Sequence, residues 1–296
     1  MWGNRGYDEF AESAANQVPF GLNGSIAANR PYPEWAGITL GTQEARSWYN
    51  SLQLKYEKRL TAGWYTLASY TFASAIDEAG AWGANTTPQI GSDFNAERGP
   101  QAQTPRQNFV WSNVYQLPFG RGQRWGNNWS NVVDGFFGGW HVSNILTYRT
   151  GLPLNVTLVS SGVNPATGQN YTFYNLNGGT LRPNLVGNPN TGISPEVNRN
   201  DFLSSTAFQV QALNTPGDAS RDVALGPGLF NLDLSLGKQI RVTERQALDL
   251  RFEAFNSTNH TNFGNPGTTF GSSTFGVIST TTGNNRIVQM AVRYQF

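Results

Sequence analysis

The sequence predicts an all-β fold, an antiparallel β-barrel meander whose strands cross a lipid bilayer. Three observations predict it: apolar residues recur at every second position over long runs, charge is scarce, and short and long connections alternate along the chain. Of the 296 residues, 13% are charged and 13% aromatic, with 9 Trp, 11 Tyr and 18 Phe. That charge share is about half of a soluble domain's. A chain so poor in charge normally carries a large apolar core, yet only 38% of this one is hydrophobic. A membrane barrel reconciles the two, because alternate side chains face lipid while the others, and the loops, stay polar.

Period-two patterning places the strands in order. From Trp48, the residues Asn50, Leu52, Leu54, Tyr56, Lys58 and Leu60 share one face, and Tyr49, Ser51, Gln53, Lys55, Glu57 and Arg59 the other. That run exceeds the usual length of a soluble strand. Thr61-Ala62-Gly63 turns the chain into a second strand from Trp64 to about Asp77, and a third spans about Arg106–Leu117. A fourth, from Trp140 to about Thr150, sets Trp140, Val142, Leu146 and Tyr148 against His141, Ser143, Thr147 and Arg149. Three more follow: Phe230–Leu236, Leu248–Phe255 and Val288–Phe296, the last with Val288, Met290, Val292, Tyr294 and Phe296 on one side.

The connections provide an independent check. Barrels of this kind alternate short periplasmic turns with long extracellular loops. Counting back from a periplasmic C-terminus, the short turns at Thr61–Gly63 and Arg241–Gln246 fall on one side. The long segments Glu78–Pro105, Pro153–Pro227 and Ser257–Asn285 fall on the other. Phe119–Gly139 is long for a periplasmic turn, and its Trp125, Trp129, Phe136 and Phe137 suit a place along the membrane interface. Trp48, Trp64, Trp140, Tyr148, Tyr294 and Phe296 stand near strand ends, where aromatic rings favour the headgroup region. The competing fold is a secreted β-sandwich that binds carbohydrate, whose wet faces would tolerate the same alternation.

Other classes of function are excluded or lack residues. Net charge is +1 with no basic block, which argues against a nucleic-acid partner. Cysteine is absent, which suits passage through an oxidising compartment without disulfides. No run of about 18 apolar residues occurs, and Met1–Arg5 has no secretory h-region. An exported chain without an export signal is expected to begin upstream, so the sequence reads as one barrel domain over residues 1–296, with the signal peptide absent. The two histidines, His141 and His260, have no second ligand at metal spacing. No nucleophile elbow or phosphate loop is present. Asp249 and Glu253 share a face with Arg251 and read as a mutually neutralising wet wall, not an acid pair. Neither enzyme activity nor a cofactor is expected.

The ordered motifs resemble a known family. Arg30-Pro31-Tyr32-Pro33, Ser47 through Gln53, Tyr70-Thr71-Phe72, Leu117-Pro118-Phe119-Gly120 and Gly138-Gly139-Trp140 carry the resemblance. Gly151-Leu152-Pro153, Arg182-Pro183-Asn184, Gly226 through Ser235, Arg251 through Asn256 and Asn259 through Phe263 continue it. Together they resemble the barrel of TonB-dependent outer-membrane receptors, Oar-like branch. The chain departs from the family at Pro105–Phe109, where an Asp-x-x-His pattern is replaced by a stretch with no histidine.

The resemblance implies the C-terminal portion of an about 22-stranded barrel in a Gram-negative outer membrane, with a plug and a TonB-contacting segment further upstream. It implies uptake of a large nutrient such as a siderophore, glycan or peptide, and the alternative is a surface barrel serving structure, adhesion or signalling. The expected partners are outer-membrane lipid, the barrel-assembly machinery, the TonB complex and an extracellular ligand. Trp82, Phe94, Tyr171 and Tyr174 are the candidate ligand-stacking residues, against the ordinary alternative that loop aromatics pack on neighbouring loops. Tyr294 and Phe296 are the candidate assembly signal, at the end of an alternating strand able to add to a sheet edge.

Overall fold

The computed structural model describes residues 3–22, 28–79, 88–91, 93–173, 180–241, 243 and 246–296. Eight strands form the wall: β1 (Asn4–Ala14), β2 (Thr39–Thr61), β3 (Trp64–Asp77), β4 (Gln107–Gln116), β5 (Trp140–Arg149), β6 (Leu229–Arg241), β7 (Ala247–Phe255) and β8 (Ile287–Gln295). Each pairs antiparallel with its neighbours in sequence order, and the two-residue strand Gly99–Pro100 adds to β3 off this path. β1 and β8 are the two edges of the sheet. The expected seven-strand meander is present, with one strand added at its start.

β1 escapes the alternation rule because its register shifts between Gly6 and Glu9 and again between Glu9 and Ala11, with Asp8 at φ 54°. Such bulges break the two-residue period. β2 likewise begins at Thr39, well before Trp48, and its first part pairs with β1 alone. Its turn into β3 holds Ala62 and Gly63 at φ 52° and 74°, the two left-handed residues of a tight hairpin.

Residues directly opposite each other in a ladder share a face, so register assigns the two sides of the wall. Leu54, Tyr70, Phe109, Tyr148 and Phe230 form one row across five strands. Trp64, Tyr115, Val142, Leu236, Phe252 and Met290 form another on the same face. This face is apolar and exposed at Leu52, Leu54, Tyr56, Val288, Met290 and Val292. The opposite face carries Gln53, Lys55, Asn108, Ser143, Asn231, Asp249, Arg251 and Arg293. Trp140 and Tyr148 stand eight positions apart on the apolar face, roughly 26 Å along a strand. At the roughly 40° tilt of such barrels that run rises about 20 Å, most of the apolar band's height.

Three indole donors on this face are satisfied from within, as a lipid environment favours. Trp111 donates to Thr66 Oγ1 at 2.7 Å, Trp64 to Asn113 Oδ1 at 2.6 Å and Trp140 to the Phe136 carbonyl at 3.0 Å. Two lysines interrupt the face near the short-turn end, and both fold back. Lys58 lies 4.7 Å from the Trp64 ring centroid and donates to the carbonyls of Thr61 and Trp64. Lys238 lies 4.5 Å from that of Trp140 and donates to the carbonyls of Phe136 and Gly138. Those carbonyls close helix α1 (Asn131–Phe137), inside the connection that is too long for a simple turn. Ser130 caps it, and Val132, Phe136 and Phe137 are exposed. A short helix with bare aromatic side chains beside a snorkelling lysine fits a membrane interface.

Candidate functional site

Four connections leave the wall at one end, 15–38, 78–106, 150–228 and 256–286, and 117–139 leaves at the other. Among the described residues the two longest of the four are built from short strand pairs. Pro153–Leu154 pairs with Ala224–Leu225, Ser161–Val163 with Asn170–Thr172, and Asn184–Leu185 with Phe208–Gln209, while Thr157–Leu158 runs parallel to Thr269–Phe270. Their apolar residues make a core outside the wall from Val156, Leu158, Tyr171, Phe173, Leu181, Leu203, Ala207, Phe208, Ala224 and Phe270. Phe208, Phe270 and Phe275 close a triangle of rings with centroids 5.4–5.8 Å apart, within the favourable range for aromatic pairs.

Two buried arginines tie this platform together. Arg182, 1% exposed, grips both oxygens of Glu97 at 2.6 and 3.0 Å and donates to the carbonyls of Ala219 and Ala96. Gln89 completes the joint: its Oε1 accepts from the Arg182 amide, its Nε2 donates to the Gly217 carbonyl, and its amide donates to Glu97. Arg221 pairs with Asp222 at 3.1 Å and with Asp77, the last residue of β3, and donates to the carbonyls of Asp77 and Glu97. Burial lowers the Arg221 guanidinium below its usual range and raises the Asp222 carboxyl, which Arg221 pulls back down. One arginine therefore joins loop to loop, and the other joins loop to wall.

The segment from Asn256 to Asn262 is organised by its amides. Asn256, at φ 46°, donates to the carbonyls of His260 and Asn284 and accepts from the His260 amide. Asn262 exchanges both bonds with the Phe230 backbone, and the His260 ring stands edge-on to Phe230 at 5.4 Å. Both histidines sit in structural roles, since His141 lies over the bare backbone of Gly237. Among the described residues, no group of three potential ligands gathers around a metal position.

A cavity of ≈ 580 Å³ opens under the 190–202 segment, lined by Tyr148, Ile193, Pro195, Phe202, Phe230 and His260 among others. Tyr148 and Phe230 belong to the apolar face, so the cavity sits at the outer rim. Nothing in the periodicity marks it; its wall carries the Gly226-Pro227-Gly228 and Asn259–Phe263 motifs, the signals the sequence offered.

The candidate stacking residues separate. Tyr171 is 6% exposed, with its ring 5.5 Å from Phe173 inside the loop core, so it packs instead of presenting a surface; burial raises its phenol above the usual range. Phe94 is half-buried and lines a narrow cleft with Glu12, Glu78, Pro88 and Arg221. Trp82 and Tyr174 lie outside the described residues. Tyr294 and Phe296 are both exposed at the end of the edge strand β8, with ring centroids 6.1 Å apart.

An open antiparallel meander with one apolar exposed face, one polar face and its three longest loops at one end is the geometry of a membrane barrel wall. A family model described as outer membrane beta barrel domain matches residues 2–289. The chain belongs to this family. No curated protein matches the chain. Family membership places the barrel in the outer membrane. No helix among the described residues is long and apolar enough to cross a membrane.

Proposed function

We propose that this barrel is the wall and extracellular face of a TonB-dependent receptor of the Oar-like branch, taking up a large nutrient such as a siderophore, glycan or peptide. The observation that carries the reading is the loop platform, locked by Arg182 and Arg221 over a polar inner wall. A surface of fixed shape keeps low the ordering cost of capturing a ligand. The polar face below it, with Lys55, Asp249, Arg251 and Arg293, suits a wet path. Further strands completing the barrel, a plug and a TonB-contacting segment belong to the same reading.

The test is uptake in a strain lacking this protein and in one lacking TonB. With a siderophore, glycan or peptide as sole source of iron or carbon, both strains lose uptake of the same compound. Uptake unchanged in both strains, with altered adhesion in the first alone, would instead assign the barrel to the surface role.

Tyr294 and Phe296 are the part read by the assembly machinery. Phe296 is 94% exposed at a sheet edge whose alternate side chains Val288, Met290 and Val292 are also bare. Deleting Phe296 from the full-length protein is expected to lower its outer-membrane level severalfold, whereas replacing Gln295 leaves it unchanged. Quantitative immunoblotting of membrane fractions checks this, and equal levels for both variants refute it.

A further inference from the structure

We infer that the apolar face carries a docking site for a phosphorylated glycolipid headgroup, centred on Trp48 at the loop end of the wall. Arg5 on β1 stands directly opposite Trp48 on β2, with its guanidinium carbon 5.3 Å from the indole centroid. Arg98 approaches from the β3 side at 4.4 Å and Arg46 from the same strand at 5.8 Å. Arg46 is committed: it holds Glu78 through two contacts of 2.9 Å. Arg5 and Arg98 are exposed and make no ion pair or side-chain hydrogen bond among the described residues. Their positions against one ring keep them within about 10 Å of each other, inside the span of a single headgroup.

Trp48 supplies a second and independent observation. The indoles of Trp64, Trp111 and Trp140, deeper on the same face or at its other end, all donate to protein acceptors. The Trp48 N–H has no protein acceptor among the described residues. At the headgroup level, that donor and the ten N–H donors of Arg5 and Arg98, the first also stacked 4.8 Å from the Tyr7 ring, face oxygen acceptors outside the chain. Below them on β2, Leu52, Leu54 and Tyr56 are more than half exposed, a surface suited to acyl chains. Oxygen acceptors above and hydrocarbon below describe a phosphorylated lipid, and planar guanidinium forks match phosphate geometry. The extracellular leaflet of an outer membrane is built of phosphorylated glycolipid, and the long loops put Trp48 on that side.

The experiment uses the full-length protein in detergent, with bis-phosphorylated lipid A, its dephosphorylated form and inorganic phosphate as probes, read by native mass spectrometry. The wild type is expected to retain the phosphorylated lipid and lose most of it in the Arg5→Gln/Arg98→Gln double variant. The drop should be roughly 30-fold, the scale set by two basic side chains at an anionic surface. Arg293→Gln, on the inner face, retains lipid like the wild type. Equal retention by a correctly folded double variant overturns the proposal. Equal binding of the dephosphorylated lipid by the wild type also overturns it, and it decides the matter should the double variant fail to fold. Displacement by millimolar inorganic phosphate would reassign the site to a soluble anion.

Discussion

Replacing Arg221 with Met is expected to release the extracellular platform from the wall while leaving the barrel intact. The substitution removes the charge that Arg221 sets against Asp77 and Asp222, both at most 5% exposed. Removing one partner of a buried ion pair costs about 3–5 kcal/mol, because the other charge stays desolvated. The loss is local: the polar partners of Arg221 among the described residues are Asp77, Asp222 and Glu97, which join the 78–106 and 150–228 connections to the end of β3. Hydrogen exchange on the protein in bilayers should show faster exchange around residues 93–101 and 181–225, with β4 to β8 unchanged. The effect should depend on pH with a definite sign. Burial holds the folded-state carboxyl of Asp222 above its unfolded value, and Arg221 opposes that shift; without Arg221 the carboxyl rises further. In the variant the folded state then binds a proton that the unfolded state has released, so stability falls as pH rises through the window above the ordinary Asp value. Acidification should therefore partly restore the platform. Protection indistinguishable from the wild type at neutral pH would show that the buried pair does not fasten the loops.

The platform and the wall differ in how far the sequence disclosed them. Wall strands obey one local rule, two residues per repeat, and a single stretch such as Val288–Phe296 announces its own faces. Connection lengths then oriented the sheet without any knowledge of contacts. β1 was lost where the rule fails, at the bulge around Asp8. The platform obeys no local rule. Val156, Leu181, Leu203, Phe208 and Phe270 meet in one core although they come from separate points along two connections, and long-range meeting leaves no period. Arg182 was visible only inside the motif Arg182-Pro183-Asn184. Its partner Glu97 lies 85 positions away, so its burial and its role required coordinates. For the same reason Tyr171 leaves two readings open in the sequence, ligand stacking or packing on neighbouring loops, and only coordinates put it in the loop core. Trp48 was legible as a girdle residue, but the arginines around it come from three separate segments.

The assignment of lipid to one face of the wall makes the second strong prediction. Leu54 lies midway between Trp48, at the loop end of β2, and Leu60, at its turn end, and it is 55% exposed. Leu54→Arg places a guanidinium near the centre of the hydrocarbon, which costs about 2–4 kcal/mol at the midplane of an outer-membrane barrel. Gln53, the preceding residue, points to the opposite face with Lys55 and Glu57. Gln53→Arg should therefore cost less than about 0.5 kcal/mol, as surface changes away from special features usually do. The two variants carry the same new side chain one residue apart, so the difference between them reports the face and nothing else. Urea titration of the full-length protein folded into lipid vesicles measures both. Tilting toward the headgroups would let the guanidinium introduced by Leu54→Arg snorkel and shrink its cost, but the distance from mid-strand is too long for it to vanish. Equal costs for the two variants would mean that both faces meet water, and a larger cost for Gln53→Arg would reverse the assignment of inside and outside.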